Sequence, residues 1–299
     1  LAGVRLSCSN MCEKGSTDMT TILVASDLSD RSARAVGRAA VLARANRWAL
    51  HVLHVCAGEE AAARTALEQE LADVGGRGEG VRVDVVRGDP CDVISTAAEA
   101  TDLLVLGEPG RRTVGRLFTG TTAERIVRRV STPVLLVRCP AKRPYRRTLL
   151  PIDFSASSPA ILQTARELGF TVGDCVAVHA FATPQVDMML QASSISMAGV
   201  REHMLAEQEK AERKLAALVK EADIVARVAG IPIETTPASA IVAYAQRLES
   251  DLIVVGSRGH SRLAQLVLGS VASHVLAHAD ADVLVVPPVA AMMDHLADA

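Results

Sequence analysis

Two stretches decide the fold: LLVLGEPGRRTVGRLFTGT at 103–121 and LIVVGSRGHSRLAQLVLGS at 252–270. Each opens with an apolar run of strand character. Gly107, Gly110, Gly120 and Thr121 follow in the first; Gly256, Gly259, Gly269 and Ser270 follow at the same spacing in the second. A helix-like segment comes after each. A strand that passes through a Gly-rich loop into a helix N-terminus is an anion site, because the loop N–H groups and the helix dipole both favour negative charge. Single glycines after strands are ordinary turn residues. The repetition of the whole constellation is what gives it weight.

Working outward, the two halves align. TILVASDLS (21–29) matches TLLPIDFS (148–155), each an apolar strand ending in Asp with Ser two residues on. ALHVLHV (49–55) matches CVAVHA (175–180), TPVLLV (132–137) matches ADVLVV (281–286), and GDPCDVI (88–94) loosely matches TTPASAI (235–241). Repeats of this length are duplicated domains, not solenoid units. The organisation predicted is a tail at 1–18, a domain at 19–140, a solvated linker at 141–146, a second domain at 147–289 and a tail at 290–299. The second half carries an expansion, mostly at 183–222. It is read as a longer helix, 200–229, ending before Gly230, rather than as a partner surface.

Within each half, short apolar runs alternate with amphipathic helical patterns. The strands predicted lie near 21–26, 49–55, 81–86, 103–106 and 134–137, then near 148–152, 175–179, 231–235, 252–255 and 283–286. Continuous apolar strands suit a parallel sheet covered on both faces, and the alternation implies an α/β fold with right-handed crossovers. The fold predicted is two tandem domains, each a five-stranded parallel sheet in the order 3-2-1-4-5 with helices on both faces.

Composition bounds the function. The 299 residues suit two domains, and 49% are apolar, enough for two cores. A net charge of −2 and 2% aromatic residues disfavour a nucleic-acid binder. No apolar run reaches membrane-spanning length, and the first residues lack the apolar core of a secretory signal. The six cysteines include no C-x-x-C pair; they read as buried fillers or reduced thiols, so a cytoplasmic location is expected.

In open α/β sheets, ligands bind beyond the carboxyl ends of the strands where strand order reverses. The order 3-2-1-4-5 sets strands one and four side by side. Asp27 and the 107–121 loop would then flank one crevice, and Asp153 and the 256–270 loop a second. Gly107 and Gly110, with Gly256 and Gly259, allow backbone to approach a ligand closely. Gly120 and Gly269 open the helix N-terminus to a phosphate, and Thr121 and Ser270 cap the helix or bind a phosphate oxygen. Asp27 and Asp153 offer carboxylates suited to a ribose hydroxyl or an adenine amino group; the plainer reading is that Asp27 and Ser29 simply start a helix. There is no G-x-x-x-x-G-K-[ST] and no G-x-G-x-x-G after the first strand. His274 and His278 lack a third ligand. No nucleophile–base spacing or paired carboxylates stand out, so no catalytic residue and no metal ligand is assigned.

The glycine loop, the strand-one Asp and the G-D-P-x-x-x-I segment resemble the universal stress protein family in its tandem, ATP-binding form. The resemblance covers nearly the whole chain. It implies ATP in each domain, with Mg or Mn on the phosphates, and a nucleotide-dependent role in stress response. It places Asp27 and Asp153 near adenine and ribose, and the backbone around Val55 and Ala180 against adenine. It implies that 134–137 and 283–286 pair within the chain as a pseudo-dimer, with a homodimer or an unknown protein partner beyond that. Two departures stand out: Glu108 and Pro109 follow Gly107, where Glu108 would repel phosphate unless Arg111, Arg112 and Arg116 offset it, and TTP (235–237) replaces G-x-P. The alternatives are a slow ATP hydrolase, for which no general base can be named, and a nucleotide-free interaction module of the same fold.

Overall fold

The computed structural model describes residues 19–76, 78, 80–108, 121–182, 197–258 and 268–288. The first half runs β1 (Thr21–Ser26), α1 (Asp30–Asn46), β2 (Ala49–Cys56), α2 (Glu60–Asp73), β3 (Val81–Arg87), α3 (Pro90–Glu99), β4 (Leu103–Gly107), α4 (Thr122–Arg129) and β5 (Val134–Val137). The second runs β6 (Arg147–Pro151), α5 (Ser158–Glu167), β7 (Asp174–Ala182), α6 (Met197–Glu221), β8 (Arg227–Ile233), α7 (Pro237–Arg247), β9 (Leu252–Gly256), α8 (Ser270–His278) and β10 (Asp282–Val286).

The strands form one ten-stranded sheet in the order β3-β2-β1-β4-β5-β10-β9-β6-β7-β8. Each half therefore has the predicted order 3-2-1-4-5, and its neighbours are parallel. The halves meet where β5 and β10 pair antiparallel, with Leu135 opposite Leu284. This join covers one edge of each five-stranded sheet and leaves β3 and β8 outermost, where Pro232 on β8 lacks only an edge N–H.

Hydrophobic pattern explains the layers. Leu103, Leu104 and Val105 of β4 and Val283 and Leu284 of β10 are fully buried, as strands covered on both faces must be. On one face, α1, α2, α5 and α6 pack over Ile22, Val24, Leu50 and Ala177. On the other, α3, α4, α7 and α8 pack over Leu23, Leu53, Leu104 and Ile253. Both cores run through both halves, and each fully buried Leu or Ile side chain contributes about 1.5–3 kcal/mol.

Local signals set the helix starts. Ser29 and Ser32 form a capping box on α1, Asp89 caps α3 with Pro90 in the first turn, and Thr236 caps α7 ahead of Pro237. One boundary differs from expectation. The helix read as 200–229 ends at Glu221, and Gly230 lies inside β8. The chain leaves α6 through Asp223, which adopts a left-handed φ of 54°. Gly230 is small because α6 crosses it: a Cβ there would meet Gln208 Cγ at 3.0 Å. The glycine is therefore a close-packing residue, not a helix stop. The basic connector between the halves is largely exposed, but Tyr145 within it is buried against Phe170 and Arg38.

Candidate functional site

Beyond the end of β1 the chain turns through Asp27, Leu28 and Ser29 into α1. Leu28 has φ 60° and its counterpart Phe154, after β6, also has φ 60°. A left-handed conformation at a bulky residue costs about 1–2 kcal/mol, and here it recurs at the same place in both halves. The turn aims the carboxylate. Asp27 Oδ1 accepts the Ser29 N–H at 3.1 Å and the Ser29 hydroxyl at 2.5 Å. Partial burial pushes the Asp27 carboxyl up, but hydrogen bonds from Ser29 and Ser32 and the charge of Arg31 outweigh it and hold the group below its ordinary value. In the second half, Asp153 Oδ1 accepts from Ser155 N at 2.9 Å and Ser158 Oγ at 3.2 Å.

A second matched feature lies on the neighbouring strand. His54 Nδ1 is 2.8 Å from the Ser26 carbonyl oxygen, and His179 Nδ1 is 2.7 Å from that of Ile152. A carbonyl only accepts, so each Nδ1 carries the hydrogen. Each histidine pins the residue before the Asp and so helps set the turn.

These elements enclose a cavity of about 340 Å³ at the carboxyl ends of β1 and β4, within the size range of small-molecule sites. Asp27, Val55, Gly107 and Thr121 all line it. Val55, Ile94, Leu106 and Ile126 supply an apolar floor; Asp27, Ser29, Arg31 and Thr121 supply a polar rim. Gly110 and Gly120 lie outside the described residues. Gly107 is required by the fold as well: a Cβ there would sit 2.8 Å from the Arg31 carbonyl oxygen in the first turn of α1. Thr121 takes the capping role, its hydroxyl accepting the Glu124 N–H at 3.2 Å.

Sequence reasoning left Glu108 facing a phosphate loop, with loop arginines as its offset. Glu108 instead pairs with Arg138 Nη1 at 2.9 Å, just past the end of β5, and the three loop arginines lie outside the described residues. Arg138 was missed because only the sheet order brings the end of β5 beside the end of β4. Arg138 also hydrogen-bonds the Leu276 carbonyl near the C-terminus of α8, so the same side chain touches the first cavity's wall and a helix of the second half.

In the second half, Asp153, Ala180, Gly256 and Gly269 occupy the corresponding strand ends and helix start; Gly259 lies outside the described residues. Ser270 differs from Thr121. The cap of α8 is Gly269, with no side-chain bond, and Ser270 is the first helical residue. The TTP segment keeps its helix start, because Thr236 accepts the Ser239 N–H at 3.1 Å where Asp89 accepts the Cys91 N–H at 2.9 Å. His274 and His278 stack on each other with ring centroids 4.1 Å apart. Among the described residues, no group of three His, Cys, Asp or Glu side chains is placed to hold a metal, and no helix is long and apolar enough to cross a membrane.

Comparison with known proteins follows the same layout. The model of the universal stress protein family matches residues 19–73, 57–138 and 144–287. A universal stress protein of Thermus aquaticus is 33% identical over 138 residues, which is 40% of this chain and 98% of that one. A stress response protein of Bacillus subtilis is 43% identical over 54 residues, covering 18% of this chain and 32% of that protein. The crystal structure of a universal stress protein from Archaeoglobus fulgidus superposes with a TM-score of 0.59 at 18% identity, over 89% of this chain and 98% of that chain, which supports the fold. With two copies of the 3-2-1-4-5 sheet and family matches across both, this chain belongs to the universal stress protein family.

Proposed function

We propose that this protein binds ATP at the carboxyl ends of its strands, with one site per domain, and acts as a nucleotide-dependent regulator of a stress response. The observation that carries the proposal is the convergence of Asp27, Val55, Gly107 and Thr121 on one cavity whose floor is apolar and whose rim is polar. The floor suits a purine ring. Asp27 is ionised at neutral pH and suits a ribose hydroxyl or the adenine amino group. The N-terminus of α4, reached through the glycine loop, suits the phosphates. Mg²⁺ or Mn²⁺ would enter on the phosphate oxygens. Asp153, Ala180, Gly256 and Ser270 carry the same roles in the second domain. The domains proposed are 19–140 and 147–289.

The test is to denature the purified protein, identify any released nucleotide by chromatography, and titrate ATP with Mg²⁺ into wild type and into a Gly120→Val, Gly269→Val double variant. ATP recovered from wild type, or bound by it and lost in the variant, supports the reading. No nucleotide and no binding by a folded wild type would sink it, and would favour an interaction module of the same fold.

A further inference from the structure

Beneath the turn that holds Asp27 lies a chain of oxygen contacts that the proposed ATP site does not use. Ser26 Oγ is 2.8 Å from Glu70 Oε2 and 3.0 Å from Ser32 Oγ. Ser32 Oγ is 2.9 Å from the Ser29 carbonyl oxygen. Backbone donors are already spent on the same hydroxyls: Leu28 N–H on Ser26 at 3.0 Å and Ser29 N–H on Ser32 at 3.0 Å.

Protons can be counted here. The Ser29 carbonyl, which also takes the Ala33 N–H at 2.9 Å, and the Asp27 carboxylate only accept, so the Ser32 hydroxyl hydrogen goes to one of these two. Ser32 then accepts from Ser26, which uses the single hydroxyl hydrogen of Ser26. The contact between Ser26 and Glu70 still needs a hydrogen, and only the carboxyl of Glu70 remains to supply it. With Glu70 protonated, both contacts of Ser26 hold a hydrogen; with Glu70 ionised, one of them holds none. The other carboxyl oxygen, Oε1, is buried with no hydrogen-bond partner among the described residues, which an uncharged carbonyl oxygen tolerates far better than half of a carboxylate.

We propose that Glu70 holds a proton in the folded protein and that this proton is linked to ligand binding in the first cavity, so that the first domain responds to pH and the second does not. The electrostatic surroundings agree. Burial is the largest influence on Glu70 and raises its titration; the Ser26 hydrogen bond opposes this, the charge of Asp27 adds to it, and His54 opposes it. These groups come from the elements packed around α2: Asp27 from the end of β1, His54 from β2, and the neutral Ser32 from α1, whose Arg31 acts on Asp27. On β3, Arg87 pairs with Glu60 near the start of α2. Arg82, Asp84 and His51 form a separate cluster, on the sheet face away from α2 because Val81, Val83 and Val85 take the near one.

Ser26, Asp27, Ser29 and Ser32 all line the first cavity. Ionising Glu70 draws the Ser26 hydrogen to the carboxylate, breaks its link to Ser32, and adds a negative charge beside Asp27 under a site proposed for an anion. The second domain lacks the device. Ile152 stands where Ser26 stands, just before the Asp. Lys214 precedes the buried Leu215 as Glu70 precedes the buried Leu71, and its ammonium lies 5.4 Å over the Phe154 ring.

The linkage rests on the ATP reading; the proton on Glu70 does not, and the experiment separates them. Carboxyl carbon chemical shifts would be followed by NMR against pH in the ligand-free full chain, wild type and Glu70→Gln. One carboxyl titrating well above the others, and absent from the variant, is expected; Glu70 titrating among the exposed glutamates overturns the proposal whether or not ATP binds. ATP would then be titrated across the same range in an Asp153→Ala background, which isolates the first site. Affinity should fall by up to roughly tenfold per pH unit across the Glu70 transition, and Glu70→Gln, which mimics the neutral acid, should abolish that fall. An elevated titration with pH-independent affinity overturns the linkage. An elevated titration with no ATP binding at any pH overturns the linkage through failure of the ATP reading, leaving the proton assignment standing.

Discussion

Arg38 Nε lies 3.1 Å from Asp282 Oδ2, with the two side chains 5% and 0% exposed, and so joins the first helix of one half to the last strand of the other. The Tyr145 hydroxyl donates to the same Asp282 oxygen at 2.6 Å, and the backbone N–H groups of Arg138 and Cys139 donate to Oδ1 at 2.8 and 3.0 Å. The phenol is pushed well above its ordinary titration range by burial and by the Asp282 charge, so it stays a donor. At the matched position of the first half stands Pro133, which offers no carboxylate. The clamp therefore exists at one corner of the pseudo-symmetric join and not at the other.

Removing one side of this pair leaves a buried charge without its partner. Asp282→Ala should cost about 3–5 kcal/mol of stability, read by urea denaturation of the full chain. A loss below about 1 kcal/mol would mean that the join is held by the β5–β10 ladder and the apolar cores alone.

Asp27 gives a pH signature of opposite sign to Glu70. Its carboxyl is held below the ordinary value, so its contribution to stability is present above the unfolded-state titration and is lost as pH falls through the folded one. Wild type should exceed Asp27→Asn in stability above about pH 4, and the difference should shrink as pH falls below that through the lowered folded-state titration. Thermal melts across that range check it; a difference that persists in acid would show that it does not come from ionisation.

The helices that follow the two glycine loops start differently, and paired substitutions should expose this. Thr121→Ala removes a side-chain cap and should cost about 1 kcal/mol, whereas Ser270→Ala removes none and should stay within about 0.5 kcal/mol. Equal losses in chemical denaturation would contradict the observed caps. Both variants should weaken ATP binding in their own domain if the hydroxyls also meet phosphate.

Arg138 neutralises Glu108 at the wall of the first cavity. Arg138→Met should expose a ligand anion to the Glu108 charge and weaken ATP binding several-fold at the first site. The double variant Arg138→Met, Glu108→Gln should recover much of that loss. Isothermal titration of both variants decides it; a double variant as weak as the single one would show that Arg138 acts through packing instead.

Much of this architecture was legible in the residues. Hydrophobic runs and capping residues act on their near neighbours, so the strands at 21–26, 103–107 and 252–256 and the starts of α3 and α4 could be read locally. Asp27 and Gly107 could be set beside one crevice only by taking the order 3-2-1-4-5, since alternating strands and helices imply a parallel sheet but allow other strand orders. Where Gly230 would fall was not legible, since its reason for being glycine is Gln208, on another element.

The sequence by itself determined a duplicated α/β chain with its strand-end Asp and glycine loops in matching places, because those features depend on spacing along the chain. The pairing of β5 with β10 was implied only by family resemblance, and its antiparallel sense came from the structure. The partners of charged and hydroxyl groups were decided by tertiary structure alone. Arg38 finds Asp282, Arg138 finds Glu108 and Ser26 finds Glu70 only after the sheet brings distant elements together. Burial then makes each pairing, and the proton assigned to Glu70, a matter of which donors lie within reach.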